Sequence, residues 1–259
     1  MKRFEKVVYG ALAAIAASTT ACIDDLAGDD LATLTLEAAL QEGSTPAAAD
    51  AQASSSGDGS GGGFIDACQL PDMTRVTFNP TGSFDATDEG VSATLNLPFT
   101  FTLRNTAQTK FWITTNGQLG FGTVPGGSMF GHVTCPLPDG AFATPILLAY
   151  SVDLVGRLDG DAGVCYATIG TAPNRKVVVT WKDSFFYEAW LTSHVTFSAT
   201  LNEGTNVIDV GLDRIEAPAL PAFESGYATA VGIQSGNSTQ TYSCFQPRTP
   251  EGTVAHLHI

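Results

Sequence analysis

The 259-residue chain predicts an all-β fold, an antiparallel and jelly-roll-like β-sandwich, preceded by an export signal and a disordered acidic linker. Three observations predict it. From Phe64 onward, short runs rich in Val, Ile, Thr, Phe and Tyr alternate with turn residues. Several runs carry the two-residue period of a strand with one buried face. No stretch of 64–259 carries a convincing amphipathic helical period.

Residues 1–21 have the anatomy of a signal peptide: Lys2, Arg3 and Lys6, then an apolar run over 7–17, then small residues. That run is about half the roughly 20 residues a membrane-spanning helix needs. Thr19, Thr20 and Ala21 before Cys22 resemble the lipobox of bacterial lipoproteins, with Thr19 where Leu is usual. The resemblance implies that Cys22 becomes the acylated mature N-terminus, and its two or three chains would anchor stably. Residues 22–63 then form a tether, with eight acidic and no basic residues over 23–63. Its second half, STPAAADAQASSSGDGSGGG, has no core-forming residue and would hold a domain about 25 Å from its anchor.

The folded domain, 64–259, has expected strands at 75–79, 93–104, 111–115, 118–122, 145–152 and 163–169. Further strands are expected at 176–183, 194–202, 206–212, 228–234, 239–244 and 254–258. Val177, Val179 and Trp181 share a face, as do Val195, Phe197, Ala199 and Leu201. NEGTN, 202–206, should join two strands as a hairpin.

FWITTNGQLGFG, 111–122, has glycines that could suggest a phosphate loop. A phosphate loop needs a helix to follow the glycines, and here a strand continues. Asn116-Gly117 is therefore expected at the centre of a two-residue type I′ turn, with Phe111, Ile113 and Thr115 on one face. LPFTFTL (97–103), FWITTNGQLGFG, GVCYATIG (163–170), GTAPNRKVVVTW (170–181), NEGTNVIDV (202–210) and ATAVGIQSG (228–236) follow one another in order. In that order they resemble a nidogen-like extracellular module. TPILLAYSVD (144–153) keeps the Pro and Asp of that module's A-P-F-W-x-D strand without its Trp. The resemblance implies a β-sandwich of adhesive, matrix-type and cell-surface proteins, and brings no catalytic motif.

Removing 1–21 leaves nine basic and twenty-five acidic residues, a net charge of about −16, which repels nucleic acid and anionic lipid headgroups. With Cys22 acylated, Cys68, Cys135, Cys165 and Cys244 remain, an even set that fits disulfides in an oxidising compartment. Three pairings are open. Proximity favours Cys135–Cys165, and Cys68–Cys244 would then clasp the domain's ends. No CxxC and no GxSxG occurs, so neither a structural zinc site nor a nucleophile elbow is indicated.

Asp153, Asp159 and Asp161 surround a Gly-containing turn where oxygens could converge on Ca²⁺, although the EF-hand spacing is absent. His256 and His258 share a strand face, with no carboxylate near in sequence. SFFYEAW, 184–190, puts Phe185, Phe186, Tyr187 and Trp190 on an expected loop, where apolar residues often mark a binding surface. The expected function is therefore a non-catalytic, cell-surface or periplasmic lipoprotein, at the outer membrane or cell surface or otherwise secreted, whose adhesive sandwich binds an extracellular protein or glycan. The alternatives are a lectin-like module using the 184–190 aromatics and, behind it, a secreted hydrolase.

Overall fold

The computed structural model describes residues 63–258 apart from 82–84, 127–130, 132–134, 141, 143, 158–159, 190–191, 225 and 248–250. The expected signal segment, Cys22, the expected tether up to residue 62, Asp159 and Trp190 lie outside the described residues. Within it run fifteen strands: β1 Thr74–Arg75, β2 Phe78–Pro80, β3 Gly90–Ser92, β4 Leu95–Leu103, β5 Thr106–Ile113, β6 Gln118–Phe121, β7 Ile146–Ser151, β8 Leu154–Val155, β9 Gly163–Ile169, β10 Lys176–Phe186, β11 His194–Asn202, β12 Ile208–Glu216, β13 Ala230–Ser235, β14 Ser238–Cys244 and β15 Val254–Leu257. A single turn of helix, α1 Pro221–Glu224, links β12 to β13. No helix among the described residues is long and apolar enough to cross a membrane.

The strands form an all-β sandwich. One sheet has the order β1-β9-β10-β11-β12-β15, with β8 also paired to β10, a second the order β14-β13-β7-β6-β5-β4, and β2 and β3 pair as a small third sheet. Every pair is antiparallel, because short turns join most neighbours within a sheet. Alternation decides which side chains face inward. Val177, Val179 and Trp181 of β10 meet Val195, Phe197, Ala199 and Leu201 of β11 in the main core, as their spacing predicts. Phe111, Ile113 and Leu119 enter the same core from the second sheet. Trp181 stacks on Phe197 at 4.9 Å between ring centroids. Each such large side chain, wholly buried, stabilises the fold by about 1.5–3 kcal/mol.

The outer faces are covered as well. On the first sheet, Cys165, Ala167 and Val178 lie under the 63–70 segment, whose Ala67 is fully buried. Ala67 N–H donates to Thr180 Oγ1 at 2.8 Å, and that hydroxyl donates to Ile65 O at 2.7 Å. On the second sheet, Trp112, Ile146 and Leu148 lie under Val124, Leu137 and Phe142. Gln234 holds this cover, accepting from Asp139 N–H at 2.8 Å and donating to Asp139 O at 2.9 Å.

These covers correct the expected disulfides. The bonds are Cys68–Cys165 and Cys135–Cys244, each stapling one covering segment to the sheet beneath it. Cys165 alternates with core-facing Val164, so it points out of the first sheet, while Cys135 lies outside the second. Two sheets packed about 10 Å apart separate those faces. That exceeds the roughly 7 Å Cα–Cα limit of a disulfide.

The turn at Asn116-Gly117 also differs from expectation. Ile113 pairs with Leu119, and Thr114 N–H donates to Gln118 O at 3.0 Å, so Thr115, Asn116 and Gly117 make a three-residue loop. Only Gly117 has positive φ, +71°, as a three-residue hairpin with a left-handed third position requires. The two-residue turn with both central φ positive is Arg104–Asn105, at +43° and +63°, between Leu103 and Thr106. Consequently β5 starts at Thr106, five residues before the expected strand. The NEGTN hairpin forms where expected, with Leu201 paired to Ile208.

Candidate functional site

At one end of the sandwich the Thr115–Asn116–Gly117 loop is walled in by two others, 85–90 and 152–156. Thr115 N–H donates to Gly90 O at 3.1 Å, and Gly90 N–H returns a bond to Thr115 Oγ1 at 3.0 Å. The Thr115 hydroxyl donates to Asp88 O. Asn116 is wholly buried. Its Oδ1 accepts from Leu154 N–H at 2.8 Å and its Nδ2 donates to Glu89 at 3.1 Å. Below the loop, Trp181 Nε1–H donates to Thr114 O at 2.7 Å. The most legible motif in the sequence is thus an internal clamp. Asn116→Ala would leave Leu154 N–H without this acceptor and is expected to cost about 2 kcal/mol, read as a lowered urea midpoint.

What the clamp positions is acidic. Asp88, Glu89 and Asp153 each present a carboxylate oxygen, and the three oxygens lie within 4.8 Å of one another. Burial, and then the neighbouring charge of Asp85, raise the Asp88 carboxyl above its ordinary range. The expected trio of Asp153, Asp159 and Asp161 contributes only Asp153 to this cluster. Asp161 is exposed and lines a separate depression of about 410 Å³ with Arg157, Lys182 and Arg214. There Lys182 pairs with Asp66 at 2.7 Å, and Arg157 with Asp183 at 2.9 Å. Asp88 and Glu89 carried the same sequence signal as the expected trio, acids beside a Gly in a turn, in DATDEG over 85–90.

The aromatic segment 184–190 is not one loop. Residues 184–186 complete β10, and Tyr187–Ala189 form a 3-10 turn. Strand alternation sends Phe185 and Phe186 to opposite faces. Phe186 is wholly buried against Phe223, at 5.1 Å between centroids, so it is a core residue and not part of a binding platform. Phe185 lies beneath the Arg157 guanidinium, at 5.2 Å, and beside the His194 ring. Tyr187 is 55% exposed. His256 has a carboxylate partner after all: Asp209 lies opposite it on β12, at 2.6 Å from Nδ1.

Beside the acidic cluster lies a groove of about 220 Å³ lined by Phe223, Tyr227 and Phe245 together with Asp153 and Glu188. Tyr227 and Phe245 are 55% and 40% exposed. Tyr187, bonded through its N–H to Asp153 O at 3.0 Å, flanks the same end. Three of the four exposed large apolar side chains among the described residues therefore gather here; Met73 is the fourth. Phe245 holds a left-handed backbone, φ +52°, with its N–H donating to Thr229 O at 2.9 Å. The preceding Cys244 is tied to Cys135. A large residue in that conformation is strained, and such strain persists only where neighbours impose it. Sequence reading missed Tyr227 and Phe245, although each is an aromatic placed on a turn, the signal that singled out 184–190.

Among known proteins, one family matches residues 72–257, a span that includes every residue of the acidic cluster and the groove. No curated protein and no solved structure matches the chain. The match covers well over half of the sequence and agrees with the nidogen-like order of strands and hairpins. The chain belongs to the family described as NIDO related.

Proposed function

We propose that this protein is an exported, membrane-tethered and non-catalytic binding module, and that the groove end of its sandwich is the contact surface. The observation that carries the reading is the exposure of Tyr227 and Phe245 in one groove, with exposed Tyr187 next to Glu188 of its lining. Exposed aromatic groups cost solvation free energy, and clusters of them mark interaction sites. The two disulfides suit an oxidising compartment outside the cytoplasm. The basic and apolar leader, the Cys22 context and the acidic tether support an anchor at the outer membrane or cell surface.

The full-length, disulfide-bonded chain is expected to bind intact cells or their isolated envelopes saturably. A Tyr227→Ala/Phe245→Ala double variant should weaken that binding about tenfold or more, as hot-spot aromatics do. Binding that is absent or indifferent to the double variant would overturn the reading, as would saturable hydrolysis of any polysaccharide or peptide. A glycan-array signal that follows Tyr187 alone would move the site to the 184–190 segment. Mass spectrometry of the mature N-terminus is expected to show diacylglyceryl Cys22, and an unmodified terminus would remove the anchor.

A further inference from the structure

We infer that the Tyr227–Phe245 groove is a socket for a cationic side chain, Lys or Arg, presented by a partner protein. This socket rests on the binding-module reading above and specifies the chemistry of that same surface.

Charge favours a cation. Two carboxylates, Asp153 and Glu188, line the groove, and none of the described residues lining it is basic. Asp153 also belongs to the cluster whose other members are Asp88 and Glu89, so negative charge continues beyond the groove wall.

The walls narrow that cation to a basic side chain. Phe223, Tyr227 and Phe245 stand beside the acids, and aromatic faces attract ammonium and guanidinium groups through the ring quadrupole. A purely apolar ligand would gain from the rings and strand two carboxylates without solvent. A metal ion would use the carboxylates and leave the rings idle. A basic side chain uses both, placing its aliphatic stem on the rings and its charge by the acids.

Size and preorganisation agree with this occupant. About 220 Å³ lies below the roughly 300–1,000 Å³ of small-molecule pockets and suits one side chain. Phe245 is held there in a strained backbone by Thr229 and the neighbouring disulfide, so the backbone that carries its ring is set before binding.

The test uses the full-length, disulfide-bonded chain and four probes. These are Nα-acetyl-lysinamide and Nα-acetyl-argininamide, with Nα,Nε-diacetyl-lysinamide and Nα-acetyl-citrullinamide as their neutral counterparts. NMR shift changes are expected at Tyr227, Phe245 and Glu188 with at least one cation and with neither neutral probe. Phe245→Ala and Tyr227→Ala should each weaken the cation about two- to fivefold, and Glu188→Gln by a similar factor. All three residues are exposed, and an unchanged near-ultraviolet circular dichroism spectrum verifies that the variants fold. Equal shifts with the neutral probes would overturn the inference, as would cation shifts spread over the acidic surface without Tyr227 and Phe245. If envelope binding still depends on those two rings while neither cation docks, the binding-module reading stands and the cationic socket does not. If both fail, the groove is no interface.

Discussion

Gly117→Ala is expected to be among the most damaging single substitutions in this protein, lowering stability by about 3–5 kcal/mol out of a typical total of about 5–15. A β-carbon at Gly117 would lie 2.3 Å from Tyr150 O, 2.9 Å from its carbonyl carbon and 3.0 Å from the Phe197 ring. The first two are backbone atoms of β7, and the ring belongs to a wholly buried side chain. Gly117 cannot retreat cheaply, because its own carbonyl accepts from Ala149 N–H at 3.0 Å and Tyr150 N–H at 3.3 Å. The φ of +71° adds about 1–2 kcal/mol for any residue with a β-carbon. Gly122→Ala is the control. Its φ is +87°, but a β-carbon there would meet nothing within 4 Å, so only the conformational cost of about 1–2 kcal/mol remains. Urea midpoints for the two variants separate crowding from conformation, and equal losses would show that Gly117 is not crowded.

Removing either disulfide should lower stability by about 4–5 kcal/mol on a chain-entropy account, since the bonds close long loops spanning 97 and 109 residues. The two losses should differ in place. Cys135→Ala/Cys244→Ala frees the cover over Trp112, so amide exchange is expected to speed up in β5 to β7 and at Phe245. Cys68→Ala/Cys165→Ala frees the 63–70 segment instead, and exchange should rise in β9 and β10. The groove should keep its cation affinity in the second variant and lose part of it in the first. Unchanged unfolding midpoints in both double variants would show that the covers hold without their staples.

The Asn116-Gly117 pair shows how a correct local signal can carry the wrong detail. Asn-Gly is the preferred pair for a type I′ turn, and a hairpin does form there. Its geometry was decided by the surroundings: Asn116 is turned inward to bind Leu154 N–H and Glu89, and Gly117 is pressed against β7. Arg104–Asn105 lacks the favoured glycine and nevertheless adopts the tight turn, held between two long, well-packed strands. Phe185 and Phe186 teach the same lesson. Their composition marked an aromatic segment, but β10 runs three residues beyond the expected strand and sends Phe186 into the core.

Local pattern was enough to establish the all-β class, most strand positions, the inward faces of β10 and β11, and the presence of four pairable cysteines in the domain. A two-residue period, turn residues and composition are each read within a dozen positions, and burial on one face enforces them. Which cysteines meet, which acids cluster and where the exposed aromatics gather came only from the way the sheets assemble. Asp88 and Asp153, Glu188 and Phe245, and Cys135 and Cys244 are each far apart in the chain. They become neighbours because antiparallel sheets return their turns to the same end or face of the sandwich. No periodicity encodes that return, since it depends on which sheet each strand joins and which outer face each covering segment crosses.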